Sequence, residues 1–289
     1  MPGNKSDIGL KVFYLTGMIL ILLIPSCSEK FEDEVVYDTS RSFVFRDVKY
    51  GSEPRQSMNI FLPADRGRDS TRLIILIHGG GWISGDKNDF DTFAGIFSTN
   101  KVAAVTVNYR YADPVKKVGY EEILNDIGNA IKCISDSSRK YSIDVSDITL
   151  MGHSAGGHIA LMFAYTRNSV NNIRNVISLA GPTDLDDPIF LSISGITDLV
   201  NNLTGYDIDR RKEASPVNHV SIVTTYLYHG KTDAIVPWQQ SDKLYGLIRS
   251  LNSKNRLSLI ENCGHGFGFS EFSGILEETI ELINKIGDK

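Results

Sequence analysis

The sequence predicts an α/β fold, a mostly parallel twisted sheet with helices on both faces and an antiparallel hairpin at its start. Two observations carry this prediction. Beyond residue 72, short aliphatic runs alternate with segments of helical periodicity, which is the pattern of repeated β-α-β units. The aliphatic runs are continuous, as in strands that are covered on both faces. A chain of 289 residues has room for one large domain of this kind or for two small ones.

The predicted elements follow in order from the hairpin, in which Ser42–Lys49 and Ser57–Leu62 flank a turn-rich join. The later strands are predicted at 72–77, 102–108, 147–152, 173–180, 222–228 and 256–261. The helices are predicted at 88–98, 119–136, 154–166, 237–251 and 270–286. The helix at 119–136 has the clearest pattern, because apolar side chains recur at helical spacing from Tyr120 to Ile134.

Two segments interrupt the alternation of strands and helices. Residues 110–118 form a loop, and residues 182–219 are too long for a simple connection between two strands. The second segment carries an apolar set interspersed with Gly and Asp: Phe190, Leu191, Ile193, Ile196, Leu199, Val200 and Leu203. We expect a lid of short helices over the carboxyl ends of the strands; an ordinary crossover helix is the alternative.

The composition limits the classes of partner. Hydrophobic residues make up 42% of the chain and charged residues 22%, as in ordinary globular proteins. The net charge is −5 and no Lys/Arg block occurs, so nothing indicates a nucleic-acid partner. Three cysteines, at spacings that fit no zinc motif, predict neither a disulfide framework nor a metal site. Cys133 and Cys263 are expected to pack as thiols, with a bridge in an oxidising compartment as the alternative.

The N-terminus carries basic residues followed by an apolar run. Lys5 and Lys11 precede or begin the run at 12–24, which is too short to cross about 30 Å of hydrocarbon comfortably but suits a secretory signal. The following Ile-Pro-Ser-Cys, ending at Cys27, resembles the lipobox of bacterial lipoproteins. That resemblance implies a signal peptide over 1–26 and a diacylglycerol on the thiol of Cys27. A plain signal peptide cut nearby and an uncleaved short anchor are the alternatives.

Residues 27–41 are predicted to be an acidic tether ahead of a single domain over 42–289. The stretch Ser28–Glu34 resembles the acidic signal of surface-exposed lipoproteins in some Gram-negative bacteria; a solvated linker is an equal alternative. Cleavage would change the net charge from −5 to −6, so membrane attachment would depend on the lipid. We expect an exported, membrane-anchored protein that faces the periplasm or the cell surface.

Residues 147–157 place a serine between a strand and a helix. An apolar strand runs into Gly152-His153-Ser154-Ala155-Gly156, and a helical pattern follows at once. In this Gly-x-Ser-x-Gly pattern the serine projects from a sharp, strained turn, and larger side chains two residues away would collide. We expect Ser154 to be a nucleophile. The alternative is an ordinary serine in a glycine-rich turn.

A serine hydroxyl becomes a good nucleophile only with a base beside it and an acid that orients the base. Asp233 follows the predicted strand 222–228, and His265 follows the strand 256–261. Both therefore lie at the sheet edge where Ser154 lies, in the chain order expected on this architecture. Asp184 is the runner-up acid. The remaining histidines considered are expected to be structural: His153, His158, His219 and His229.

A glycine-rich loop follows the first parallel strand, at His78-Gly79-Gly80-Gly81-Trp82. Glycines let the backbone approach a substrate closely and turn its amides inward. The amides of Gly80 and Gly81, together with that of Ala155, are the predicted donors to the oxyanion of a tetrahedral intermediate. No Gly-Lys-Ser/Thr follows, which argues against a phosphate-binding loop.

Together these motifs resemble the α/β-hydrolase esterases. The matching segments are His78–Trp82, Asn108–Arg110, Asp147–Gly157, Ser215–Pro216, His229–Asp233, Val236–Pro237 and Gly264–Phe267. The chain is most similar to the bacterial carboxylesterases that include acetyl-xylan and feruloyl esterases, whose typical opening is matched by Tyr50–Pro63. The resemblance implies a Ser154–His265–Asp233 triad and no cofactor. It departs at 108–114, where Asn-Tyr-Arg-Tyr-Ala-Asp-Pro replaces the usual Leu-Ala-Pro ending and predicts a reshaped acyl-pocket wall.

These observations predict a serine carboxylic-ester hydrolase that works through an acyl-enzyme. Its expected substrates are acetyl or feruloyl esters of plant polysaccharide, or similar short acyl esters, and Trp82, Tyr109 and His153 are expected to border the pocket. An amide hydrolase of the same fold, an exopeptidase or an aryl-formamidase, is the first alternative. A non-catalytic binding protein is the second, and a missing nucleophile, base or glycine donor would favour it. All three are present in the sequence.

Overall fold

The computed structural model describes residues 36–169 and 172–285, which are built around one eight-stranded sheet. The strands are β1 (Phe43–Lys49), β2 (Ser57–Leu62), β3 (Leu73–Ile77), β4 (Ala103–Val107), β5 (Ile148–His153), β6 (Ile173–Leu179), β7 (Thr224–Gly230) and β8 (Arg256–Ile260). Their spatial order is β1-β2-β4-β3-β5-β6-β7-β8. The pairs β1–β2 and β2–β4 are antiparallel and the others are parallel. The predicted fold class and the predicted hairpin are confirmed.

Helices cover both faces of the sheet. They are α1 (Asp91–Thr99), α2 (Tyr120–Asp136), α3 (Ser138–Tyr141), α4 (Ala155–Thr166), α5 (Pro188–Ser192), α6 (Ile196–Thr204), α7 (Ile208–Glu213), α8 (Gln239–Ile248) and α9 (Phe269–Lys285). The apolar side chains of α2, α4 and α8 pack in one core cluster, and those of α1 and α9 pack in another. The two clusters correspond to the two sides of the sheet, so this is a three-layer α/β architecture.

The central strands explain where a site can form. β3 is aliphatic and wholly buried, because it lies between the parallel strands β4 and β5 and its side chains pack in the core clusters on both faces of the sheet. The register pairs Ile77 at the end of β3 with Gly152 near the end of β5. The loop after β3 therefore emerges beside the turn after β5, and the loops after β6, β7 and β8 emerge along the same edge.

The segment between β6 and β7 contains short helices, as predicted for a lid. Helices α5, α6 and α7 are followed by a single 3₁₀ turn, Pro216–Asn218. Helix α5 begins at Pro188 with the carboxylate of Asp187 accepting a hydrogen bond from the amide of Phe190. Gly195 and Gly205 flank α6 with φ of +82° and +67°, a left-handed conformation that suits glycine. These breaks keep the lid helices short.

The start of the described chain differs from the prediction. The ring of Tyr37 lies 4.8 Å from that of Phe45 and 5.9 Å from that of Tyr141. The guanidinium of Arg66 donates to the carbonyls of Tyr37 and Arg41 at 3.1 and 2.6 Å. Residues 37–41, predicted to end the tether, are thus packed on the domain, because buried Arg66 and an aromatic cluster hold them there.

The predicted N-terminal features lie outside the described residues. These are the signal peptide over 1–26, the lipidated Cys27 and the acidic stretch that follows it. Among the helices of residues 36–169 and 172–285, no helix has the length and apolar character needed to cross a membrane.

Candidate active site

Ser154 is the single residue between β5 and α4, and its backbone is strained. Its φ of +54° and ψ of −123° lie in a region that residues with a side chain rarely adopt, at a cost of about 1–3 kcal/mol. A Cβ on Gly152 would lie 2.2 Å from the carbonyl oxygen of Gly156, and one on Gly156 would lie 2.1 Å from that of Ile77. Both glycines are therefore required by this turn. The serine amide donates to the carbonyl of Leu179 at 2.8 Å, which anchors the turn to β6.

Three loops bring Ser154, His265 and Asp233 together. His265 Nε2 lies 2.9 Å from Ser154 Oγ. His265 Nδ1 lies 2.7 Å from Asp233 Oδ2. The three residues follow β5, β8 and β7, which explains how positions 32 and 111 residues apart in the chain meet at one sheet edge. This geometry permits a proton to pass from the serine to the imidazole.

The carboxylate of Asp233 is surrounded by donors. Its Oδ1 accepts the amides of Ile235 and Val236 at 2.8 and 2.9 Å. Burial raises the pKa of Asp233, but contacts from His229 and His265 and the amide of Val236 outweigh burial and hold that pKa well below its ordinary value. The carboxylate is therefore ionised and can orient His265.

His229 lies behind the Asp233 carboxylate, a contact that sequence reasoning missed. Its Nε2 is 3.2 Å from Asp233 Oδ2 and donates to the carbonyl of Val236 at 2.8 Å. Its Nδ1 lies 2.7 Å from the hydroxyl of Ser241 on α8. The expectation of a structural histidine holds in one sense, because His229 fixes the loop that carries the acid. The sequence did offer one signal for this contact: His229 lies at the end of the apolar strand that Asp233 follows.

Asp184, the runner-up acid, is engaged elsewhere. Its Oδ2 lies 2.5 Å from Lys243 Nζ, and its Oδ1 accepts the amide of Asp186 at 3.0 Å. It is thus an ion-pair partner of α8 rather than a neighbour of His265.

The glycine loop after β3 turns its backbone toward Ser154. Gly80 and Gly81 have φ of +109° and +58°, and a Cβ on Gly80 would lie 2.2 Å from the carbonyl oxygen of Ser84. Within the described part of the chain, no acceptor is hydrogen-bonded to the amides of Gly80 or Gly81. Ala155 is the first residue of α4, where an amide has no intrahelical acceptor. All three residues line the cavity that contains Ser154.

A cavity of about 250 Å³ opens beside the nucleophile; we call it the Leu199 cavity. Besides Ser154, His265, His153 and the three predicted oxyanion donors, its wall is apolar: Trp82, Pro182, Phe190, Ile196, Leu199, Ile235 and Val236. Four of these residues come from the lid segment 182–219, which confirms that the lid covers this sheet edge. Sequence reasoning named the lid's apolar set but could not say which members face the cavity.

Of the three residues predicted to border the pocket, two line the cavity and one does not. Trp82 and His153 line the Leu199 cavity. Tyr109 does not, and its pocket assignment is wrong. Its fully buried ring stacks on His78 with centroids 4.3 Å apart, and its hydroxyl donates to the carbonyl of His78 at 3.0 Å. Tyr109 supports the glycine loop from beneath.

The segment 108–114, which was expected to reshape the acyl-pocket wall, does not itself line the Leu199 cavity. Residues 110–113 line a separate cavity of about 620 Å³, together with Ile83. There the guanidinium of Arg55 stacks over the ring of Tyr111 at 3.7 Å, and the Tyr111 hydroxyl donates to the carbonyl of Gly85 at 2.6 Å. Residues 108–114 therefore do not form the acyl-pocket wall themselves; they support it, because the amide of Ala112 donates to the carbonyl of Trp82, which lines the Leu199 cavity, at 2.9 Å.

His158 and His78 are buried beside the site, and His158 links the glycine loop to the lid. Trp82 Nε1 donates to His158 Nδ1 at 3.1 Å, and His158 Nε2 donates to the carbonyl of Ala214 at 2.7 Å. His158 on α4 thereby joins the glycine loop to the lid. Burial lowers the pKa of His158 to about 4 and that of His78 to about 4, so both are neutral near pH 7.

The described residues contain no cluster of metal-ligating side chains, and their two cysteines are not bonded to each other. In residues 36–169 and 172–285, no three or more His, Cys, Asp or Glu side chains are grouped to hold a metal ion. Cys133 and Cys263 are free thiols. Burial raises the pKa of each thiol, which favours the protonated form.

Comparison with known proteins places this architecture among esterases. A family model described as BD-FAE matches residues 58–248, more than half of the chain. "Probable isoprenylcysteine alpha-carbonyl methylesterase ICME" of Oryza sativa subsp. japonica is 23% identical over 245 residues, covering 77% of this chain and 58% of the relative. Esterase LipC of Mycobacterium tuberculosis is 23% identical over 252 residues, covering 79% and 60%. The chain thus spans about three fifths of these curated relatives.

Solved structures match over most of the chain. Esterase B from Lactobacillus rhamnosis superposes with a TM-score of 0.72 at 20% identity, covering 88% of this chain and 89% of that one. A truncated carbohydrate esterase from gut microbiota superposes with a TM-score of 0.71 at 20% identity, covering 89% of this chain and 100% of that one. These likenesses show an α/β-hydrolase fold, and the family match over residues 58–248 shows that the chain belongs to the BD-FAE family.

Proposed function

We propose that this protein is a serine carboxylic-ester hydrolase that works through an acyl-enzyme. The observation that carries the proposal is the chain of contacts from Ser154 Oγ to His265 at 2.9 Å and from His265 to Asp233 at 2.7 Å, opposite the glycine amides. The names of the relatives add support, since LipC and Esterase B are called esterases.

In the acylation half, Ser154 Oγ attacks the carbonyl carbon of the ester. Its proton passes to His265 Nε2, and the imidazolium is stabilised by the Asp233 carboxylate. The negative charge on the former carbonyl oxygen is stabilised by the amides of Gly80, Gly81 and Ala155. The intermediate then collapses, His265 gives its proton to the leaving alcohol oxygen, and an acyl group remains on Ser154.

In the deacylation half, a water molecule replaces the alcohol. His265 takes a proton from that water as it attacks the acyl carbon, and the same three amides stabilise the second oxyanion. Collapse returns the proton to Ser154 Oγ and releases the carboxylic acid. His153 has a supporting part, since its Nε2 donates to the backbone carbonyl of His265 at 2.7 Å and so holds the base in place.

Replacement of the nucleophile tests the proposal. Ser154→Ala should lower kcat for 4-nitrophenyl acetate by about 10⁴-fold or more, because the acyl-enzyme cannot form. The wild-type protein, but not the variant, should react covalently with a fluorophosphonate probe at Ser154. Thermal melting of both proteins is the control for folding. Near-normal turnover by Ser154→Ala, or failure of the wild-type protein to hydrolyse any ester, would contradict the proposal.

Short acyl esters of plant polysaccharide, acetyl or feruloyl, are the proposed substrates. The apolar Leu199 cavity supports an acyl group of this kind, and a similar fold in a carbohydrate esterase from gut microbiota supports a saccharide partner. Release of acetate or ferulate from substituted xylan is the measurement, with 4-nitrophenyl butyrate as a reference substrate.

We also propose export as a lipoprotein anchored through Cys27, facing the periplasm or the cell surface. Support comes from the apolar run at 12–24 and the Ile-Pro-Ser-Cys sequence that follows it. Incorporation of labelled palmitate into the full chain, and its loss in Cys27→Ser, would test the anchor. An unlabelled wild-type protein would favour a plain signal peptide.

A further inference from the structure

Two cavities lie on either side of the His153 side chain. The first is the Leu199 cavity, which contains Ser154. The second has a volume of about 320 Å³, and Ser154 is not among the residues that line it; we call it the Phe272 cavity. Among the described residues, the two cavities share Gly80 and His153 alone. Glycine has no side chain, so the imidazole of His153 is the shared side chain that stands between them.

The Phe272 cavity has aromatic walls, because Phe90, Phe93 and Phe272 all line it. The rings of Phe93 and Phe272 stack with centroids 4.1 Å apart, and the ring of Phe90 lies 6.4 Å from that of Phe272. Aromatic side chains bind other flat apolar rings through offset stacking and edge contacts. A flat apolar group could therefore occupy this cavity if a path led to it from Ser154.

The ring of His153 is held from two sides, which closes that path. Its Nε2 donates to the backbone carbonyl of His265 at 2.7 Å. Its other edge packs against the glycine loop, since a Cβ on Gly79 would lie 3.2 Å from His153 Nδ1. The ring of Phe267 meets it edge-on, with centroids 6.1 Å apart. The imidazole thus spans from the loop after β8 to the loop after β3, and a substrate cannot move it aside without breaking its hydrogen bond.

We infer that His153 is a specificity-determining residue: its side chain closes the Leu199 cavity on the side of the Phe272 cavity and so limits the size of the ester that Ser154 can attack. This inference rests on the proposed function and adds to it the residue that sets the upper size of the substrate. In the wild-type protein the ester is confined to about 250 Å³. Without the imidazole, a second space of about 320 Å³ with aromatic walls would be open to it.

Either half of an ester can reach the opening that loss of the imidazole would create. The two cavities meet at Gly80, whose amide is one of the predicted oxyanion donors. The acyl chain and the alcohol oxygen are both bonded to the carbon that bears the oxyanion, so both begin close to this amide. The test therefore enlarges each half of the ester separately.

Two pairs of esters measure the size limit with the full-length protein. The alcohol pair is 2-naphthyl acetate and ethyl acetate, and the acyl pair is 4-nitrophenyl 2-naphthoate and 4-nitrophenyl acetate. In each pair the kcat/KM of the bulky ester is divided by that of the small one. His153→Ala should raise at least one of these ratios by about ten-fold over the wild type, because a flat apolar group gains a cavity that accepts it.

Two further variants accompany His153→Ala. His153→Asn is a second opening variant, since its side chain is shorter but keeps an N–H donor, and it serves if His153→Ala fails to fold. The matched control is His219→Ala. His219 Nε2 also donates to a backbone carbonyl, that of Glu213 at 2.7 Å, but His219 lines neither cavity. His219→Ala should leave both ratios unchanged.

Refilling the Phe272 cavity distinguishes a lost wall from a loosened His265 loop. Phe272→Trp on α9 places a larger ring in the wall of that cavity. By itself it should leave both ratios unchanged, because His153 still separates the cavities. Combined with His153→Ala it should reverse most of the gain, and the double-mutant cycle measures this coupling. A gain that came from movement of His265 would survive the second substitution.

Thermal melting should show that the compared variants are folded. A folded opening variant with both ratios unchanged, or a raised ratio that Phe272→Trp does not lower, would overturn the inference while leaving the ester hydrolase intact. A wild-type protein that hydrolyses neither ethyl acetate nor 4-nitrophenyl acetate would instead overturn the proposed function.

Discussion

At the scale of single residues, the site depends on holding a buried carboxylate in its charged form. Asp233 keeps its charge because backbone amides and two imidazoles contact its oxygens. Charge at this position aligns His265, whose other nitrogen must be free to accept the serine proton. His229 contributes indirectly, because its hydrogen bond to the carbonyl of Val236 fixes the loop that bears the acid.

The acid can be tested against the neighbouring carboxylate that sequence analysis left open. Asp233→Asn should lower kcat for 4-nitrophenyl acetate by about 10⁴-fold, since an amide in this position selects the wrong tautomer of His265. Asp184→Asn, which breaks the ion pair with Lys243, should retain kcat within about three-fold, consistent with the small worth of a half-exposed pair. The reverse ranking of the two variants would mean that the acid is misassigned.

At the scale of elements, α2 illustrates how a predicted helix can carry an unpredicted polar core contact. Its apolar stripe packs as expected, but Asp126 on the same face is also fully buried. The carboxylate accepts hydrogen bonds from Gln56 at 2.7 Å and from the backbone amide and guanidinium of Arg110 at 2.9 and 2.7 Å. These contacts attach α2 to the residue that precedes β2 and to the chain after β4.

Loss of the Asp126 contacts should lower the stability of the fold without changing the active site. Asp126→Ala should lower the free energy of unfolding by about 3 kcal/mol, because Arg110 and Gln56 lose their common partner. Glu121→Ala on the same helix is the control: its ion pair with Arg210 is largely exposed and should be worth about 0–1 kcal/mol. Urea unfolding of the three proteins measures both values. If the two substitutions lowered the free energy of unfolding equally, the larger contribution assigned to the buried contacts of Asp126 would be wrong.

At the scale of the whole molecule, buried neutral histidines make the fold sensitive to acid. The pKa of His78 and that of His158 fall from an ordinary 6.5 to about 4 because both rings are buried. Between these values the unfolded chain binds protons that the folded chain excludes. Stability must therefore decrease as the pH falls through this window. Protonation of His158 would also break the bond from Trp82, which joins the glycine loop to α4.

The dependence of the free energy of unfolding on pH can be measured directly. Each histidine should reduce the free energy of unfolding by about 1 kcal/mol per pH unit between about pH 6 and pH 4.5. Urea unfolding at several pH values gives the slope, and measurements between about pH 7 and pH 8 should be nearly flat with respect to these two groups. A free energy of unfolding that is constant or higher on acidification through this window would contradict the prediction.

Local pattern was enough to predict the sheet, the lid and the residues that meet at its edge. Continuous aliphatic runs indicated parallel strands, and the glycines around Ser154 indicated a strained turn. Asp233 and His265 could be selected because each directly follows such a run, and strand ends of a parallel sheet share one edge. The acid and the base could be chosen from the order of residues along the chain and from the predicted ends of the strands, both of which are read from the linear sequence.

The sequence by itself thus determined the fold class, the nucleophile turn and the order of the reacting residues, because those depend on short-range periodicity and on glycine at fixed spacings. Only the tertiary structure decided that Tyr109 lies beneath the glycine loop, that His229 backs Asp233, and that Leu199 covers Gly81. Each of these contacts joins side chains from different elements. Their directions depend on how helices and loops pack on the sheet, and no local pattern encodes that packing.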